Sequence, residues 1–133
     1  MPTDYSRALE EFSRSADQGD AQAQFHLGQL YGLGLGVKQD YLSAMRWYAE
    51  AAGQDHPRAQ CNLGWMYGTG RGTPQNFVRA HAWYNVAAAK GEDTARANRD
   101  LLAKKMTPRQ LERAQALAQE LAQKIAQDEP IRL

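Results

Sequence analysis

One cysteine in 133 residues leaves no possibility of an internal disulfide, as suits a reducing compartment. Long apolar runs are also missing. None approaches the roughly 20 residues that cross a bilayer, so no membrane insertion is expected. Nor is there an excess of one charge: 16 Lys and Arg stand against 15 Asp and Glu, a net +1, with the signs interspersed. That balance argues against a nucleic-acid or anionic-membrane partner, which would require a basic face. The opening MPTDYSRALEEF has neither a basic n-region nor an apolar h-region, so a cytoplasmic chain is expected. Pro2 equally suits a trimmed start, and an excised domain of an exported protein would read the same way.

The usual marks of catalysis are absent too. His26, His56 and His81 fall on three different elements with no second ligand at i+3 or i+4, whereas zinc sites usually show that spacing. Neither Ser-x-x-Lys, Gly-x-Ser-x-Gly nor His-Glu-x-x-His occurs. No enzyme, metal or cofactor is therefore expected, and a hidden enzyme would show itself by a closed pocket with converging ionisable groups. Cys61 aligns with Phe25 of a related segment and reads as a small apolar packing residue.

What the chain does have is a repeat. Leu27, Gly28, Tyr31, Gly32, Gly34 and Gly36 return 36 positions later as Leu63, Gly64, Tyr67, Gly68, Gly70 and Gly72. Each set is followed by a second half, Ala44, Trp47, Tyr48, Ala51, Ala52 against Ala80, Trp83, Tyr84, Ala87, Ala88. With Ala23/Ala59, Gln24/Gln60 and Gln39/Gln75, 14 of 36 aligned positions are identical. A period of this length marks one supersecondary unit stacked on its neighbour, here within a single domain.

The helices follow from periodicity and punctuation. Residues 4–18 look like a second-half helix without its first half, with Glu11 where the later copies carry Trp47 and Trp83. A charge there suits a terminal unit with one face in water. Gly19-Asp20 ends that helix and caps the next, about 21–32. Gly28 and Gly64 lie inside helices, where glycine costs about 1 kcal/mol relative to alanine, so both are expected at close helix–helix approaches. The run Gly32 to Gly36 follows a helix and lacks the Lys-Ser/Thr of a P-loop, so it reads as a tight turn rather than a phosphate cradle. Helices are expected at about 40–53, 57–68 (opened by Pro57), 75–90 and 93–105. A last one, about 108–127, starts from the capping box Thr107-Pro108-Arg109-Gln110. Its apolar face is Leu111, Ala114, Ala118, Leu121 and Ile125. That face is most simply a lid on the final unit, and otherwise a seam for a homodimer. The segment 128–133 is expected to fray.

The paired signature AxxxLGxxYGxGxG…AxxWYxxAA resembles the Sel-one-like repeat family, relatives of the tetratricopeptide helical hairpins. It covers about 20–91 as two full units, 20–55 and 56–91, between a half unit at 4–19 and a degenerate half at 92–106. The segment MTPRQLERAQALAQEL resembles the terminal capping segment of bacterial members. Thr73-Pro74, where the family often has Val-Pro, and the loss of motif after Gly91 are departures. The resemblance implies an all-α, right-handed α-solenoid of about seven helices that serves as an adaptor or scaffold for proteins or peptides.

In such an array the first helix of each unit lines the concave side. If Leu27, Gly28 and Tyr31 face the core, the residues rotated off it are Gln22, Phe25, His26 and Gln29, with equivalents Arg58, Cys61, Asn62 and Trp65, then Thr94, Ala97, Asn98 and Leu101. Gln22, Phe25, His26, Gln29, Arg58, Asn62, Trp65 and Asn98 are the candidate binding residues. Trp65 is the most informative, because its repeat mate is Gln29 and the frame demands no aromatic there. Arg58, Asn62 and Asn98 suit a peptide backbone or a carboxylate. For Trp65 the alternative is packing on the helix after Gly91; for the polar residues it is solvated surface. Trp47, Tyr48, Trp83 and Tyr84 recur and read as core.

Overall fold

Seven α-helices and no strand make up residues 4–133, which the computed structural model of the chain describes. They are α1 (Tyr5–Asp17), α2 (Ala21–Leu33), α3 (Tyr41–Gly53), α4 (Pro57–Thr69), α5 (Phe77–Ala89), α6 (Asp93–Ala103) and α7 (Pro108–Ala126). The start signals act as their chemistry requires. Asp20 accepts the Ala23 N–H at 3.0 Å, and Pro57 is the first residue of α4. At α7 the Gln110 N–H donates to Thr107 at 3.1 Å while the Thr107 N–H donates to Gln110 at 2.9 Å. The start at Met1 and Pro2 lies outside the described residues.

Consecutive helices from α1 to α6 pack as a zigzag, so α2, α4 and α6 are the first helices of their units and α1, α3 and α5 the second. The interior glycines explain how closely the two layers approach. A Cβ on Gly28 would lie 2.6 Å from the Tyr48 ring, and one on Gly64 would lie 2.6 Å from the Tyr84 ring. The recurring tyrosine therefore occupies the space that glycine leaves open. The last glycine of each loop has a second task, which periodicity does not reveal. Gly36 and Gly72, both at positive φ, lie against the backbone at the start of the preceding second helix, at Tyr5 and Tyr41. The loops thus turn the chain and stack one unit on another.

Repeated glutamines complete the frame. Gln39 and Gln75 donate through Nε2 to the carbonyls of Gly32 and Gly68 at 2.8 and 2.9 Å, closing the ends of α2 and α4. The buried Gln24 and Gln60 donate to the carbonyls of Ala16 and Ala52 at 3.3 and 3.1 Å, tying each first helix to the helix before it.

After α6 the zigzag ends. α7 turns back and lies along α5, its residues Gln110 and Arg113 near the α5 N-terminus and Ala118 to Ala126 beside Asn85–Lys90 and the α3–α4 turn. Ala114, Ala118 and Leu121 are buried and Leu111 and Ile125 half-buried, so the apolar face that offered a dimer seam is covered within the chain. The expectation of a frayed segment 128–133 is corrected. Ile131 packs on the main core beside Gly53, and Ile131 and Leu133 line a groove of 750 Å³ with Trp47. Apolar side chains at the far end of a turn-containing segment found an apolar surface to cover. Trp47 is only half-buried, whereas Tyr48, Trp83 and Tyr84 are buried.

Candidate functional site on the first-helix face

The period of 36 places equivalent residues of α2, α4 and α6 side by side. Three rungs come from the positions already named: Gln22, Arg58, Thr94; His26, Asn62, Asn98; and Gln29, Trp65, Leu101. The same offset aligns Leu33 and Thr69, the last residues of α2 and α4, with Lys105, two residues beyond the end of α6.

At the N-terminal end the polar residues are bound to one another. His56 caps α4 by accepting the Ala59 N–H on Nδ1 at 3.1 Å. A backbone amide can only donate, so the proton of His56 sits on Nε2 and is given to Gln22 Oε1 at 2.7 Å. Gln22 Nε2 then donates to His26 Nε2 at 3.1 Å, and His26 Nδ1 donates to Gln29 Oε1 at 3.1 Å. In this directional chain each imidazole accepts at one nitrogen and donates from the other. Burial, then the nearby Arg58 and His26, keep the His56 pKa below the usual histidine value.

Phe25 is a correction among the candidate binding residues. It is 1% exposed and touches no solvent from which a ligand could approach. Its ring stacks on His56 at 4.7 Å and tilts against Tyr48 at 5.9 Å, while the Arg58 guanidinium covers it at 4.7 Å. The seam between α2 and α4 encloses this position, and the equivalent Cys61 is buried likewise. Burial pushes the Cys61 thiol up to about 11, with Glu92 adding to the effect, which favours the protonated thiol.

Burial pushes the Tyr48 and Tyr84 phenols up to about 12, with Asn62 and Asn98 acting in the opposite sense. The C-terminal end of the face is different. Trp65 is 42% exposed and Leu101 60% exposed, and together with Asn98, Leu102 and Lys105 they line a depression of 200 Å³. The Arg71 guanidinium lies 5.4 Å from the Trp65 ring and donates to the Tyr41 hydroxyl at 3.0 Å. The structure therefore brings Gln22, His26, Gln29 and Arg58 together at one end and Trp65 and Asn98 at the other. The sequence reasoning passed over Arg71 and Lys105. Their signal lay in the glycine loop and in the rung spacing.

Among the described residues no group of three or more His, Cys, Asp or Glu is placed to hold a metal ion, and no helix is long and apolar enough to cross a membrane.

The sequence matches the family model of the Sel1 repeat three times, over residues 1–20, 21–56 and 57–92. Among solved structures it is similar to a protective antigen present in uropathogenic Escherichia coli strains and displaying an SLR fold. The identity is 34%, the match covers 96% of this chain and 28% of that one, and the TM-score is 0.91. It is also similar to a Sel1 repeat protein from Oxalobacter formigenes, at 36% identity over 72% of this chain and 38% of that one, with a TM-score of 0.69. The chain thus spans well under half the length of these solved relatives. No curated protein matches it.

Proposed function

The chain belongs to the Sel1 repeat family, and we propose that it is a non-catalytic module that holds a protein or peptide on the concave face of α2, α4 and α6. One observation carries this reading. Trp65 stands 42% exposed at a position where the other full unit has Gln29, so the frame itself has no need of the indole. An exposed tryptophan beside an exposed leucine offers a large apolar area and an N–H donor, the composition of an interface anchor. Binding is favoured over catalysis because the histidines on this face are hydrogen-bonded at both nitrogens within a structural network.

The test is capture from the native host lysate by the wild-type chain and by a Trp65→Ala, Arg58→Glu double variant, both checked for helical circular dichroism. Captured proteins are identified by mass spectrometry and the leading one is titrated, purified, against each bait. A partner that binds the wild type and loses at least tenfold in affinity with the variant supports the concave face. Equal binding to both moves the site elsewhere on the molecule.

A further inference from the structure

At the aligned positions around the exposed apolar residues the Lys and Arg side chains have no carboxylate among them. Of the five large hydrophobic side chains exposed among the described residues, Leu33, Trp65 and Leu101 lie on the first-helix face. The Lys and Arg side chains that accompany them are Arg58 on a rung, Lys105 just past the end of α6 and Arg71 over the indole. None of the three makes an ion pair among the described residues. No rung position carries a carboxylate, although the chain has 15 of them. The carboxylates nearest the face are engaged elsewhere. Asp20 and Glu92 cap α2 and α6, Asp93 pairs with Arg96, and Asp100 pairs with Arg99, whose guanidinium also bonds Asn85 of α5. In a chain of net charge +1 this local imbalance comes from placement and not from composition.

From this arrangement we infer that the occupant of the face is an acidic extended peptide segment carrying a bulky apolar side chain. The apolar side chain enters the depression between Trp65 and Leu101, and the flanking carboxylates meet Lys105 and Arg71 on one side and Arg58 on the other. A basic segment would place like charges against three cations with no acid to relieve them, a cost that selects against such partners. Arg71 and Arg58 are held over aromatic rings, which fixes their guanidinium planes while leaving N–H groups free for a carboxylate. This inference rests on the proposed binding role and narrows it to one chemistry.

A library of random dodecapeptides displayed on phage, panned on the full chain, tests both levels separately. Enriched peptides are then synthesised with a fluorescent label and measured by anisotropy against wild type, Trp65→Ala, Lys105→Glu and the off-face control Arg109→Glu. The expected result is enrichment of Asp and Glu around a Leu, Ile, Phe or Trp. Affinity should fall tenfold or more with Trp65→Ala and with Lys105→Glu, weaken several-fold between 50 and 300 mM salt, and stay unchanged with Arg109→Glu. Enriched peptides that are neutral or basic yet depend on Trp65 would overturn the acidic partner and leave the binding face intact. Acidic peptides indifferent to Lys105→Glu would also overturn it. Failure to enrich any peptide that depends on Trp65 would overturn the inference and the proposed site together. Every variant lies on an exposed side chain, and circular dichroism confirms that each is folded.

Discussion

At Gly64 a single missing methyl group decides how close two helices come. A Cβ there would meet Tyr84 Cδ1 at 2.6 Å, and the tyrosine ring is buried and cannot swing away. Gly64→Ala should therefore lower stability by about 1–2 kcal/mol, the overpacking cost exceeding the roughly 1 kcal/mol of helix propensity gained. Gly68, one turn later, is the control. Its Cβ would meet only Ala80 Cβ at 3.6 Å, so Gly68→Ala should raise stability by about 0.5–1 kcal/mol. Urea midpoints measure both, and the packing account fails if the two variants shift in the same direction. Histidine sets a second residue-scale expectation. His56 and the buried His81 both have pKa values lowered by burial first, with Arg58 and His26 acting on His56 and Arg99 on His81, where Asp100 opposes. The unfolded chain, with histidines near about 6.5, then takes up protons before the folded one does. Their contribution to stability is complete above that value and is lost as pH falls through it toward the folded pKa. Melting temperature should drop between pH 7.5 and 5.5. His56→Asn, which keeps a capping oxygen, should flatten part of that drop; an unchanged slope would remove His56 from the account.

The helices themselves were largely readable because each carries its own punctuation. Asp20, Pro57 and the Thr107–Gln110 box mark starts within a residue or two of the observed ones. Two matters were not readable, for physical reasons. Periodicity assigned Ala114, Ala118 and Leu121 to one face of α7, but a face does not name its partner. The structure turns that face onto α5. Phe25 was misplaced because a helical wheel treats a helix as isolated. Position 25 points off the α2 core face and into the seam with α4, where His56 and Arg58 close over it. Trp65, one helical turn on from the equivalent Cys61, has Arg71 over its ring but no seam around it, and it keeps its exposure. The site was legible where a residue broke the repeat, as Trp65 does. It was illegible where neighbours across a seam decide the outcome.

Across the whole molecule, burial is concentrated in the middle of the stack. α4 buries seven residues and α5 eight, while α1 buries only Ala16 and α6 only Ala95. A solenoid holds each unit by its immediate neighbours, so a terminal helix with one neighbour opens at lower cost than a central one with two. α7 modifies this simple gradient. By lying along α5 it covers the helix that would otherwise have an open side, and it leaves α6 with little support beyond α5. Amide hydrogen exchange should therefore be slowest in α4 and α5, intermediate in α2 and α3, and fastest in α1 and α6. α6 would open before the segment that follows it, an order that a plain N-to-C stack does not give. Exchange in α6 as slow as in α5 would show that α7 supports the end of the stack rather than its middle. If the expected order holds, Trp65 stands on the most rigid helix of the binding face and Leu101 on the least rigid. One wall of the depression would then be fixed, and the other free to close on what enters.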